Sequence, residues 1–170
     1  MKTVRLLLVT ALISIIFGCS SDSNMLPIFV FSTVKVTLST FGTLPAGKSI
    51  AGTSMTIALP AGVVPPLDST GHPDMNLLVT ASGVAQSGGL VSTAVYEPAT
   101  ATKAALLTIS VAAREKGGFG VGEFAVLNLN LTAQLFPNAS DFPVSGFVAV
   151  DTADIQLSGI QAAVSSVVNY

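Results

Sequence analysis

Through most of its length the chain alternates apolar and polar residues with a period of two. Val34, Val36 and Leu38 are interleaved with Thr33, Lys35 and Thr37, and Met55, Ile57 and Leu59 with Ser54, Thr56 and Ala58. Further on, Leu107, Ile109 and Val111 alternate with Thr108 and Ser110, and Leu127, Leu129 and Leu131 with Asn128, Asn130 and Thr132. Successive side chains of a strand point to opposite faces, so each run predicts a strand with one buried and one wet face. Stretches 77–81, 90–96, 147–150 and 160–168 are further candidates, for roughly eight or nine strands in all.

Turn residues fall between these runs at the spacing of an all-β sandwich. Leu44-Pro45-Ala46-Gly47 and Leu59-Pro60-Ala61-Gly62 set a proline and a glycine at turn positions, and Pro65-Pro66 opens a loop that runs to Pro73. No stretch holds a sustained apolar face at helical spacing. Only the N-terminal leader and 159–168 are candidates for helix, and the β-branched residues of the latter favour a strand. The fold expected is a single all-β domain.

The leader departs from the pattern. Lys2 and Arg5 precede an apolar run over 6–17, followed by Gly18-Cys19. A basic start and a short apolar stretch make a secretory signal helix, too short to span a bilayer. Its ending on Gly18-Cys19 resembles the lipobox of bacterial lipoproteins. That resemblance implies lipidation at Cys19, with a diacylglyceryl group on sulfur and an acyl chain on the amino group exposed by cleavage. Cys19 is the sole cysteine, so it has no disulfide partner and no second thiol for a redox or metal site. A single acyl chain anchors weakly, at about 0.8 kcal/mol per buried methylene, but three hold a protein on its membrane. Ser20, in place of the aspartate that favours inner-membrane retention, implies by the same resemblance an outer-membrane address. The divisions expected are 1–18 for the signal peptide, 19–27 for a short tether and 28–170 for the folded domain. An extended chain reaches only about 3.3–3.6 Å per residue, so such a tether keeps the domain close to its membrane.

Charge is sparse, at 9% of the residues, while half are apolar. Once Lys2 and Arg5 leave with the signal, five of the seven basic residues face nine acids, a net charge of −4. This mild acidity leaves no basic stripe for nucleic acid. Ser, Thr and Gly supply most of the polarity, which makes a neutral, hydroxyl-rich surface.

From Val34 to Ile160 the order of features resembles the cohesin-like β-sandwiches of jelly-roll type, relatives of the carbohydrate-binding modules. An opening strand Val34-Lys35-Val36-Thr37-Leu38 is followed by a Pro-Ala-Gly turn and by Ser54-Met55-Thr56-Ile57-Ala58-Leu59. Later Leu106-Leu107-Thr108-Ile109-Ser110-Val111 leads through Gly117-Gly118-Phe119-Gly120-Val121-Gly122 into Glu123-Phe124-Ala125-Val126-Leu127-Asn128-Leu129. The resemblance implies a non-catalytic module that presents a strand face to a protein. For sugar binding the aromatic supply is short: there is no Trp, and Tyr96 and Tyr170 are the only tyrosines.

Candidate chemistry is thin. The glycine loop 117–122 has no Lys-Ser or Lys-Thr after it and leads into a strand, so it reads as a hairpin turn needing positive φ and not as a phosphate cradle. Phe119 at its tip is either displayed for a ligand or folded back over the sandwich end. Ser69, His72 and Asp74 are triad types, but as neighbours in one Gly/Pro loop they cannot converge from separate elements as a triad requires. Glu115 and Glu123 flank the glycine turn as two solvated acids. Asp151 and Asp154 read as a turn, and no metal cluster is visible. No cofactor and no catalytic residue are expected. Tyr96, at a strand end, and Phe119 are the candidate ligand-binding residues. The expected function is a lipid-anchored, non-enzymatic module for protein interaction or adhesion, with an envelope or surface protein as partner. The alternatives are a carbohydrate-binding lipoprotein that takes polysaccharide and a structural subunit of an envelope assembly. Nucleic acid is not an expected partner.

Overall fold

The period-two runs become strands, and their apolar halves become the core. A computed structural model describes residues 32–133 and 135–170; Cys19, the signal and the tether lie outside them. The strands in chain order are β1 (Thr33–Phe41), β2 (Gly52–Leu59), β3 (Val63–Val64), β4 (Val79–Ala81), β5 (Leu90–Glu97), β6 (Ala105–Ala113), β7 (Glu123–Leu131), β8 (Val144–Val150) and β9 (Gln161–Asn169). Val34, Val36, Met55, Ile57, Leu107, Ile109, Leu127 and Leu129 are all essentially inaccessible, while their neighbours Lys35, Thr56, Thr108 and Asn128 reach outward.

All pairings are antiparallel and form two sheets. One runs β3-β7-β1-β9, with β4 also on β7; the other runs β5-β6-β2-β8. Only β5 and β6 are sequence neighbours that pair. Most connections therefore arch from one sheet to the other, and the core between the sheets is closed by residues far apart in sequence. The all-β sandwich expected from the sequence is the fold observed.

Three local differences have physical causes. Stretch 77–81 is only partly strand, because Asp74 accepts the Asn76 N–H at 3.0 Å and caps one helical turn, α1 (Met75–Leu78), ahead of β4. The two-residue β3 follows the Pro60-Ala61-Gly62 turn and is too short to show a period. The glycine loop is not a hairpin: it carries the chain from β6 in one sheet to β7 in the other, although Gly118 and Gly122 do take the positive φ expected of it.

The connections gather at two poles. At the entry pole, where the described chain begins, Ser32 N–H donates to Tyr170 O (2.8 Å), Leu131 N–H to Ser32 O (2.9 Å) and Thr132 N–H to Gly62 O (2.8 Å). At the far pole, Thr40 N–H donates to Gly122 O (2.9 Å) and Ile50 N–H to Phe119 O (2.8 Å). Bulges in β1–β9 and β2–β8 lie where the register shifts, after Thr37 and after Ser54.

Candidate functional site

The outward side of the β5-β6-β2-β8 sheet is a broad surface with a single charged side chain. Strand register sets its side chains in rows. Val91, Ala112, Gly52 and Val150 form one row; Thr93, Ser110, Ser54 and Val148 the next; Val95, Thr108, Thr56 and Ser145 the third. Glu97 is the one charge, at a corner, and Lys103 binds it at 2.7 Å. The middle of the face is made of hydroxyl pairs that satisfy each other across strands: Ser110 donates to Ser54 at 3.1 Å, and the Thr56 and Thr108 hydroxyls lie 2.9 Å apart. Around them stand Val91 and Val95, each more than half exposed, and Val148.

Such a face can lose water at low cost. The Ser54, Ser110, Thr56 and Thr108 hydroxyls already have partners, so desolvating them strands few polar groups, and exposed valines supply apolar area. Gly52, between Ala112 and Val150, lowers the first row into a shallow groove of about 300 Å³ with Val91 and Val148 on its walls. The opposite outer face differs. It carries Lys35, and the Asn128 amide there donates to Leu77 O (3.1 Å) and to the Thr80 hydroxyl (3.3 Å).

The structure distributes the candidate residues widely. Tyr96 packs inward from β5 against the core and is half-buried. It lines a cleft of about 430 Å³ at the entry pole with Pro60, Gly62, Lys103 and Thr132, so its ring is no open platform. Phe119 is not displayed for a ligand. Reciprocal backbone bonds between Phe119 and Ile50 (2.8 and 2.9 Å) turn the loop inward, and the ring stacks on buried Phe124 with centroids 5.6 Å apart. Cys19 lies outside the described residues.

The polar loops are occupied with themselves. Asp68 accepts the Thr70 N–H (2.8 Å), the Thr70 hydroxyl (2.7 Å) and the His72 N–H (3.1 Å), and these bonds, led by the Thr70 hydroxyl, lower its pKa. His72 stands exposed at the rim of that turn, and Asp74 is spent on the α1 cap. Asp151 is buried: its Oδ2 accepts from Lys48 Nζ at 2.5 Å and its Oδ1 from the Ala153 and Ile155 N–H groups at 2.9 Å each. The Lys48 bond and then these two hold its pKa at about 2. The Asp151–Asp154 segment is thus the turn its sequence suggested, and it ties the β8–β9 connection to the β1–β2 connection. Among the described residues no three His, Cys, Asp or Glu side chains gather in a metal-binding group.

Sequence reasoning missed the neutral face as a unit. Its members lie in four separate runs, and the signal that could have found it was the lack of charge over 52–58, 91–95, 106–112 and 144–150.

No protein-family model and no curated protein matches the chain. Among solved structures, a non-cellulosomal cohesin from the hyperthermophilic archaeon Archaeoglobus fulgidus is similar, with a TM-score of 0.43 and 11% identity over 76% of this chain and 75% of that one.

Proposed function

We propose that the protein is a bacterial outer-membrane lipoprotein, anchored through Cys19, whose sandwich is a non-catalytic docking module for an envelope or surface protein. The observation that carries the docking reading is the neutral β5-β6-β2-β8 face, where paired hydroxyls lie inside a margin of exposed valines. A partner suited to it is another protein surface that is flat, uncharged and rich in small residues, since a charge set against this face would lose hydration without gaining a counter-ion. A sugar ligand instead calls for an open aromatic platform; neither candidate ring, Tyr96 or Phe119, provides one, and the exposed Tyr170 ring has the Lys35 ammonium over it.

The test is cross-linking in intact cells from a photoreactive residue at Val95, compared with one at Lys35 on the opposite face. A discrete protein adduct from Val95 alone, abolished by Ser54→Arg in a protein of unchanged stability, is expected. Equal labelling from both faces would refute the assignment, and retention of a glycan that disappears with Tyr96→Ala would make the protein a carbohydrate binder. For the anchor, Cys19→Ser removes the sulfur that takes the diacylglyceryl group. Mature Cys19→Ser protein that still fractionates with the outer membrane after a salt wash would sink the lipoprotein assignment.

A further inference from the structure

A sheet edge exposes a row of backbone N–H and C=O groups, and the edges of this sandwich are closed unequally. In the β3-β7-β1-β9 sheet, one edge is made of the short β3 and β4, and β9 at the other is bent by the bulge it makes with β1. β8 is bulged against β2, carries Gly146 at φ 60°, and has the 151–157 turn folded back on it, with Leu157 N–H donating to Ala149 O at 2.8 Å. β5 has none of these devices. It is 8 residues long, its register with β6 runs unbroken from Leu90 to Glu97, and it holds no Pro, Gly or Lys. Its one charge, Glu97, stands at the end of the strand.

Two bonds fix which way the backbone of β5 faces. Arg114 N–H donates to Gly89 O at 3.1 Å and Ala113 N–H to Ala51 O at 2.8 Å, so even-numbered residues of β6 turn their polar groups to β5 and odd-numbered ones to β2. Val91, Thr93, Val95 and Glu97 therefore point their backbone groups at β6, and Leu90, Ser92, Ala94 and Tyr96 point theirs off the edge. No other described segment bonds those groups.

The row is complementary to itself. Opposed residues of an antiparallel pair point to the same side, so a two-fold axis must pass through a residue. With the axis at Thr93, Leu90 meets Tyr96 of the second copy and Ser92 meets its Ala94, so every off-edge group is used. On the outward side Val91 then faces Val95, and Thr93 faces its own copy. An axis at Ala94 instead sends Leu90 to Pro98, which has no N–H, and sets Glu97 against Val91; an axis at Ser92 sets Val95 against Gly89. Charge favours the same register. Glu97 lies opposite Gly89 of the second copy, and beyond that bare glycine, one strand further along the row, stands the exposed Arg114, which makes no ion pair among the described residues. The other charges at the strand ends do not clash: Lys103 already binds Glu97 at 2.7 Å, and Glu115 lies beside Gly88, which falls opposite Pro98.

We infer that the protein forms a homodimer by antiparallel pairing of its β5 strands about a two-fold axis at Thr93, which joins two copies of the β5-β6-β2-β8 sheet into one continuous sheet. Outward side chains stay outward, so the neutral face is doubled in width and not covered. The dimer requires neither the lipid anchor nor the docking partner. A Val95 photo-adduct with a second copy reports this dimer, whereas one with another protein reports the partner.

Cysteine pairing reads the register. In a pair without hydrogen bonds the two Thr93 Cα atoms lie about 4.5 Å apart, within reach of a disulfide. Val91 is offset from its own copy by four residues, about 13 Å along the strand, and cannot be bridged to it. The full-length chain is oxidised in whole cells as Thr93→Cys, as Val91→Cys, as Val95→Cys and as co-expressed Val91→Cys and Val95→Cys, with wild type reporting any dimer made through Cys19. Expected is a disulfide dimer from Thr93→Cys and from the mixed pair, at least about tenfold above wild type and the Val91 and Val95 single variants. Ser92→Pro removes an N–H that points off the edge, and Thr93→Lys opposes two ammonium groups on the exposed face. Each should turn the detergent-solubilised full chain from dimer to monomer in sedimentation, with the denaturation midpoint unchanged. Equal cross-linking at all three positions, no dimer from Thr93→Cys, or a wild-type chain that sediments as a monomer would each overturn the proposal.

Discussion

Gly118 and Gly47 both occupy the left-handed region, at φ 67° and 72°, but in different surroundings. A Cβ at Gly47 would meet nothing within 4 Å, whereas one at Gly118 would lie 2.6 Å from the Ile50 carbonyl oxygen and 2.7 Å from the Ser49 hydroxyl. Alanine in this conformation costs about 1–2 kcal/mol, and Gly47→Ala should lose that much and little else. For Gly118→Ala the main chain of Ile50 must also retreat. That loosens the Ile50–Phe119 backbone pair, two bonds at about 1 kcal/mol each. It also shifts Phe119 from its stack on Phe124, an arrangement contributing about 0.5–1.5 kcal/mol. The expected loss is up to about 3.5–5.5 kcal/mol, a large share of the roughly 5–15 kcal/mol that holds a domain folded. Urea denaturation followed by far-UV circular dichroism measures both variants, and a common m-value establishes that the losses are comparable. Losses that agree within about 0.5 kcal/mol would refute the claim that contact with Ile50, and not backbone conformation, dominates at Gly118.

Ile57→Asp, which sets a carboxylate between the sheets, should cost more than about 3 kcal/mol, while Thr56→Asp one residue away should be tolerated; equal denaturation midpoints would mean that the strand faces are misassigned. Leu129→Asp should be as damaging as Ile57→Asp, but Asn128→Asp should fall between the extremes because the Asn128 amide donates to Leu77 O. The Thr53 hydroxyl is buried without a hydrogen-bond partner, so Thr53→Val should raise stability by about 1 kcal/mol, and a lower midpoint would show that this oxygen is satisfied in solution. Asp151 has its pKa lowered from 3.8 to about 2 by Lys48 first and by the Ile155 and Ala153 N–H groups next. Its contribution is therefore fully present above pH 3.8 and disappears as the pH falls towards about 2. Acid titration of stability should be shallower in Asp151→Asn across that window, and an unchanged slope would remove Asp151 from the acid response.

How much of this could be read from the chain differs by element. The strand faces were legible because burial in a sandwich acts on alternate residues: Val34, Val36, Ile57 and Leu129 were assigned to the core by spacing alone, and all are buried. The Asp151 turn was legible too, since an Asp can bond the backbone two residues on whatever the fold around it. Other features were illegible for stated reasons. α1 depends on one Asp74 hydrogen bond, a contact too local to leave a period. The fate of Phe119 turned on Ile50, which lies 69 positions earlier in the chain, and a displayed ring and a buried one are written with the same residues.

Sequence alone was enough for the sandwich class and the inward set of side chains, because both follow from a two-residue period and from turn residues that act locally. It was enough as well to raise the lipidation expectation at Cys19. Tertiary structure decided which strands are neighbours. Placing β2 between β6 and β8, and β1 between β7 and β9, brings Ser54 to Ser110 and Thr56 to Thr108 across more than fifty residues of chain. The neutral face and the two poles exist only through those pairings, since cross-strand contact is set by register between distant segments and leaves no trace in the order of residues along any one of them.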